Sequence, residues 1–260
     1  TSCVEIRGIE EPNTYVVCDC GSGIRDFSSY VLNQNSTEPQ TFHILLSHFH
    51  WDHIMGFPFF VPAYVPGNQL HFYGVHKDLE HPLRRQQEQP SFPVPLDIIG
   101  ADFHYHYLEE GEEVEIAGLK VNNILQNHPG NAYGYSFEKG GQKIVYSTDS
   151  EHTVESNNED YPFIDFFKDA DVVIFDAQYE LFEAIDTKAS WGHSSNVTGV
   201  ELAVRSNVRN ICLFYDDDTA DDETLDRFLQ ETRHYLDIYK EGHPLNIYLA
   251  YDGLEIDCTQ

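Results

Sequence analysis

The chain is poor in basic residues: 15 lysines and arginines stand against 44 aspartates and glutamates, a formal charge of −29. Its longest basic cluster is the pair Arg84-Arg85. A field of that sign repels phosphate backbones, so a long nucleic acid is not an expected partner. Long apolar runs are missing as well. No stretch is long enough to span a bilayer and none reads as a signal peptide, so no membrane role is expected. Cysteine is scarce. The five (Cys3, Cys18, Cys20, Cys212 and Cys258) are odd in number and follow no zinc-ribbon spacing. They read as reduced thiols in or near a core, which points to a cytoplasmic protein. The chain opens at Thr1 with no methionine, so an N-terminal strand is expected to be missing.

What is present is a packed interior and histidine. An apolar content of 41% with 13% aromatics excludes a disordered acidic chain. At 260 residues the chain is near the upper limit for one hydrophobic core, so a single domain over 1–260 is the first expectation. Fourteen histidines are the composition's only hint of metal chemistry.

Strand patterns come first. Residues 14–18 (T-Y-V-V-C) run into Asp19 and the turn Gly21-Ser22-Gly23, and residues 42–47 read as a short buried strand. Residues 58–98 carry seven prolines among aromatics. They predict an ordered covering region with one short helix near 76–89, lying over a site more than forming a core. Strands return at 114–116, 119–121, 133–137, 143–147 and 171–175, the last ending at Asp176. Ser194 or Ser195 can cap a helix through about Ser206, because a hydroxyl satisfies its orphan amides. A strand at 211–214, an acid run at 216–218, an amphipathic helix over 225–239 and a strand at 247–251 close the chain. Strands first, then strands alternating with helices, fit a layered α/β sandwich.

The decisive segment is Ser47-His48-Phe49-His50-Trp51-Asp52-His53. It directly follows a strand, so three histidines and an aspartate gather at a strand's carboxyl end. Neutral imidazoles and carboxylates are the ligands that zinc, manganese and iron prefer. One loop cannot complete a coordination shell, and further ligands must come from other strand ends. His128, in Asn127-His128-Pro129-Gly130, lies between two strands, and Asp149 terminates one.

The order H-x-H-x-D-H, lone His, strand-ending Asp, then W-G-H-S resembles the metallo-β-lactamase superfamily. Within it the chain looks like the phosphodiesterase branch, which includes the tRNA 3′-end processing endonucleases and the carbon–phosphorus-lyase accessory phosphodiesterase. The likeness extends through His50 to Phe60, Phe92 to Val94, Tyr146 to Glu151, Asp176 to Tyr179 and Trp191 to Ser194.

The resemblance implies a four-layer αββα sandwich. It also implies one or two divalent metal ions, zinc first, with manganese or iron as alternatives. His48, His50 and His128 would hold the first metal, Asp52 and His53 the second, and Asp149 would bridge them. The metals would share a hydroxide nucleophile, which Asp52 would also orient. His193 would act on the scissile phosphoryl group or its leaving oxygen. Asp176 would align His193 or a ligand histidine, though a plain strand-end turn accounts for Asp176 equally well. Asp19 would brace the histidine loop.

One departure stands out. Where the family places a ligand histidine, this chain has Tyr215, followed by Asp216. A neutral phenol is a poorer zinc ligand than imidazole, so the second metal is expected to be weak or helped by Asp216. The remaining histidines are expected to be bland. His104 and His106 suit one face of an exposed strand, and His71, His76, His81, His152, His234 and His243 are expected mostly at the surface. His76 or His81, in the covering region, are candidates to touch substrate.

The leading functional expectation is a phosphodiesterase acting on a small or cyclic phosphodiester through a metal-bound hydroxide. Thioester or lactone hydrolysis and a non-catalytic metal- or ligand-binding sensor are the alternatives.

Overall fold

The computed structural model describes residues 2–34, 36–180, 190–215 and 220–258. It consists of two compact units, residues 1–120 and 121–260. The first begins with β1 (Val4–Ile6), β2 (Thr14–Cys18), α1 (Ile24–Asn33), β3 (Thr41–Leu45) and the short α2 (Trp51–Ile54). It continues with β4 (Gln69–Gly74), α3 (Glu80–Gln86), β5 (Asp102–Tyr107) and β6 (Val114–Ile116). Its sheet runs in the order β1-β2-β3-β4-β5. The first pair is antiparallel and the other three are parallel. Alternation along the strands sends Phe42, Ile44, Leu70 and Phe72 into one core with Ile24, Val31, Phe57, Phe60 and Leu83.

β4 corrects the reading of residues 58–98 as covering more than core. It lies between β3 and β5, parallel to both. Phe60, Ala63, Leu70, Phe72, Leu83 and Leu96 are all buried. Prolines flank β4 but do not interrupt it, so its ladder is complete on both edges. The expected helix is there, confined to Glu80–Gln86.

β7 (Leu119–Gln126) follows β6 through Ala117 and Gly118, whose φ angles of 51° and 75° suit a two-residue hairpin turn. The boundary between the units falls just inside β7. The second unit then runs through β8 (Ala132–Lys139), β9 (Gln142–Ser147), α4 (Pro162–Phe167), β10 (Val172–Asp176) and α5 (Asn196–Arg205). It ends with β11 (Asn210–Phe214), α6 (Asp222–Tyr239) and β12 (Asn246–Leu249). The sheet order is β12-β11-β10-β9-β8-β7-β6. β8 and β9 are antiparallel, and β9 through β12 are parallel neighbours. Its core joins Val145, Val173 and Phe175 of the strands to Phe163, Phe167, Leu202 and Phe228 of the helices.

The capped helix predicted after the W-G-H-S motif is α5. The Ser195 side chain accepts the Thr198 amide, leaving Ser206 at the C-terminal end. α6 buries Phe228, Thr232 and Leu236 at helical spacing. The acid residues 216–218 lie outside the described segments.

Two histidine expectations change. His152 is buried, not at the surface, against Phe163 and Phe175. His71 is half-buried and stacks on His43, His104 and His106 across three adjacent strands. Both sites are apolar or aromatic enough to accept a neutral imidazole ring. β5 is the sheet's edge strand and exposes His104, as its alternation implied.

Candidate functional site

In the first unit the site-bearing residues stand at the carboxyl ends of parallel β2 and β3, where open α/β sheets offer their ligand crevices. Asp19 follows β2 with φ of 59°, a left-handed conformation that aspartate tolerates better than most side chains. Its carboxylate is fully buried and collects three donors. The Ser47 amide donates to Oδ1 at 2.7 Å, the Ser47 hydroxyl to Oδ2 at 2.6 Å, and His53 Nδ1 approaches Oδ2 at 2.7 Å. With its proton committed to Asp19, the Ser47 hydroxyl accepts from His48 Nδ1 at 3.0 Å.

Both imidazoles are therefore held by Nδ1, the arrangement that in metal sites orients Nε2 and raises its basicity. The ligand-capable atoms of His48 and His50 lie within 4.8 Å of each other, as do those of His48 and His53. Asp52 Oδ2 stands 3.1 Å from His53 Nε2, on a side chain 42% exposed. Gly56 makes the loop possible. Its amide donates to the Cys20 carbonyl at 2.9 Å, and a Cβ there would lie 2.0 Å from the Gly21 carbonyl oxygen.

In the second unit His128 follows β7, Asp149 follows β9 and Asp176 ends β10. The ligand-capable atoms of His128, Asp149 and His193 lie within 4.8 Å of one another. His128 Nδ1 donates to the Gly192 carbonyl at 2.8 Å, again leaving Nε2, which is 3.6 Å from Asp149 Oδ2. Asp149, like Asp19, sits at positive φ, here 57°. His193 Nδ1 is 2.9 Å from Asp176 Oδ2, which also accepts the Ser150 amide at 2.9 Å. Burial pushes the Asp176 carboxyl up from its ordinary value, and the hydrogen bond from His193 opposes that rise. Asp176 thus engages His193 through its Nδ1.

Sequence reasoning gave no role to Glu151 or Gly192, and it gave Ser194 only a possible helix cap, which Ser195 fills. Glu151 accepts the amides of Ser190 and Gly192 at 2.9 and 3.1 Å. Ser194 donates its hydroxyl to the Ser150 carbonyl at 2.6 Å and accepts the His152 amide at 2.9 Å. Gly192 has φ of 88°, and a Cβ on it would stand 2.5 Å from His128 Nδ1. The signal was their place inside the motifs Y-S-T-D-S-E and W-G-H-S. Tyr215 follows β11 and packs its ring on Phe228 of α6 at 4.6 Å between centroids. Asp216 lies outside the described residues.

Residues 14–214 match the family described as the Beta-lactamase superfamily domain. The chain belongs to that family. Among solved structures it is similar to a metallo-β-lactamase fold protein of Bacillus subtilis, YhfI, at 18% identity and a TM-score of 0.67, covering 94% of this chain and 88% of that one. It is similar to yeast PDE1 at 12% identity and a TM-score of 0.63, covering 97% and 93%. Human tRNase Z, short form, follows at 18% and 0.59, covering 82% and 84%. These likenesses show the fold, and the expectation of a metallo-β-lactamase architecture holds.

An uncharacterized protein of Mycobacterium leprae is 24% identical over 204 residues, 73% of this chain. The chain spans 65% of the length of that curated relative. The donor set fits a divalent transition metal. It offers imidazoles held by Nδ1 and carboxylates. The chain is a member of the Beta-lactamase superfamily domain family with a candidate metal site.

Proposed function

We propose that this protein is a metal-dependent hydrolase, a phosphodiesterase acting on a small or cyclic phosphodiester. The observation that carries the reading is the Asp176–His193 pair. It is a positioned imidazole, oriented by a buried carboxylate, close to the candidate ligands His128 and Asp149 yet held through its own Nδ1. Such a group suits donation to a phosphoryl oxygen or a departing alkoxide, which acyl transfer from a thioester does not require. Similarity to yeast PDE1 and human tRNase Z supports phosphoryl chemistry. The charge of −29 favours a small substrate over a long nucleic acid.

In this proposal His48, His50 and His128 would hold a first divalent metal, Asp52 and His53 would hold a second, and Asp149 would be a further ligand. Zinc is the first choice of ion and manganese or iron the others. When bound, the metal supplies Lewis acidity and makes water nucleophilic near neutral pH. The chain's own residues do the rest. Asp52 orients the attacking water, Asp19 and Ser47 keep the first unit's imidazoles in register, and His193 protonates the leaving oxygen. All five cysteines are free thiols, which supports a reducing, cytoplasmic setting. Among the described residues no helix is long and apolar enough to cross a membrane.

The test is a panel of chromogenic phosphodiesters, thioesters and lactones with metal-loaded protein. Phosphodiesters are expected to turn over fastest, and His193→Ala is expected to lower their kcat by about 10²–10⁴ with metal content kept. Preference for a thioester or lactone, or loss of metal in His193→Ala, would overturn the reading. No turnover of any class in metal-loaded protein would favour the sensor alternative.

A further inference from the structure

Four histidines gather on one face of the first unit's sheet, and none of them belongs to the candidate metal site. Register places His43, His71 and His104 side by side across β3, β4 and β5, and sets His106 beside Tyr73. Phe103 and Tyr105 pack against the unit's core, so the alternate residues of β5, Asp102, His104 and His106, share the opposite face. The rings touch. His71 stacks on His104 at 4.5 Å between centroids and on His43 at 5.0 Å, and His106 stacks on Tyr73 at 4.4 Å.

Hydrogen bonds within the cluster fix where its protons lie. The Gln69 side-chain oxygen stands 3.3 Å from His71 Nε2 and can only accept, so that nitrogen carries the proton and His71 Nδ1 presents a lone pair. His106 Nε2, 3.0 Å from that lone pair, must then donate, which leaves His106 Nδ1 with a lone pair of its own. Burial first, and neighbouring imidazoles second, push His71 down to about 4 and His106 below its ordinary value, so both rings are neutral at pH 7. His104 is exposed, and its ring makes no hydrogen bond among the described residues.

His106 therefore has the arrangement of a metal-ligating histidine, with one ring nitrogen tied down as a donor and the other left to bind. Residues two apart on a strand have Cα atoms about 6.6–6.8 Å apart on one face. Bonds of about 2.0–2.1 Å from each imidazole to a zinc ion lie within reach of both rings once the exposed His104 turns. β5 is the edge strand of its sheet, which leaves its outer side uncovered by a further strand. The charge of −29, with the Asp102 carboxylate on the same face, draws cations.

We infer that His104 and His106 form a separate binding site for a divalent ion that favours imidazole, such as zinc or nickel, with His71 positioning His106. Two protein ligands, with water in the remaining positions, hold such an ion less tightly than a centre of three or four. The inference stands whether or not the protein is a phosphodiesterase.

Protein purified without chelators is titrated with zinc ions by calorimetry, beside His104→Ala, whose exposed ring has no hydrogen bond to lose. The unmodified protein is expected to bind one equivalent more than His104→Ala, with the same metal content in both before titration. The same difference is expected in a His48→Ala/His50→Ala background, which separates this site from the candidate centre. His71→Phe keeps a ring for stacking and removes the acceptor, so it is expected to bind the extra equivalent about tenfold more weakly. Unchanged affinity in His71→Phe would show that His71 only packs and would overturn its positioning role. Equal zinc binding by the unmodified protein and His104→Ala overturns the inference as a whole, as does a difference that vanishes in the His48→Ala/His50→Ala background.

Discussion

His152 shows what a single buried imidazole asks of the fold. Its ring lies against Phe163 and stacks on Phe175, and its Nδ1 meets the Tyr161 hydroxyl at 2.6 Å. Burial pushes its pKa down to about 3, so the folded protein keeps it neutral across the physiological range. In the unfolded chain the ring takes a proton near pH 6.5. Its contribution to stability is therefore complete above pH 6.5 and is lost progressively as the pH falls from there toward 3. Denaturant midpoints measured across that window are expected to fall, and His152→Leu is expected to flatten the slope. His43 and His71, each pushed down to about 4 chiefly by burial, keep part of the slope in the variant. An unchanged slope in His152→Leu would contradict this account.

Tyr215 poses the opposite question, of what a missing imidazole costs. A phenol ligates well only as phenolate, and its ring here packs on Phe228. Second-metal occupancy is expected to be partial in the unmodified protein and to rise in Tyr215→His, as read by elemental analysis. Two full equivalents in the unmodified protein, with no gain in the variant, would show that the chain already completes that site.

Elements place these side chains through their ends. β2 and β3 deliver Asp19 and the histidine loop, and β7, β9 and β10 deliver His128, Asp149 and Asp176. The loop before α5 is tied to the loop after β9 by Glu151 and Ser194, and to His128 by the Gly192 carbonyl. Gly192→Ala would set a methyl 2.5 Å from His128 Nδ1 and from Pro129 Cδ, at a φ of 88° that alanine resists. The variant is expected to fold, because the strain is local, and to lose metal affinity by about 10–100-fold, the usual effect of disturbing a ligand's hydrogen-bond partner. Wild-type affinity in Gly192→Ala, measured by competition with a chelator, would show that this contact does not orient the ligand.

The same elements explain which parts of the molecule could be read from the chain alone. Candidate ligand side chains crowded into seven residues stand out in the chain, and the strands that carry them are apolar enough to be recognised. β4 was hidden because its residues, Q-L-H-F-Y-G, sit among prolines that signal loop, while its buried position depends on partners on both sides. The roles of Glu151 and Gly192 were hidden because they arise from a contact between segments about 40 residues apart. His152 looked like a lone surface residue, since nothing local tells which rings will enclose it.

For the whole molecule, family, fold and the grouped imidazole and carboxylate donors lead to one central claim, that the chain binds a metal, on which the proposed hydrolase activity depends. The acidic surface acts at this scale too, drawing in cations and repelling polyanions. The most direct measurement is elemental analysis of protein purified without chelators, made on the unmodified chain, on His48→Ala/His50→Ala and on His128→Ala. The account predicts at least one equivalent of zinc, manganese or iron in the unmodified protein. It predicts loss of the tightly held metal in each variant. Unmodified protein that carries no metal and takes none up from solution would contradict it.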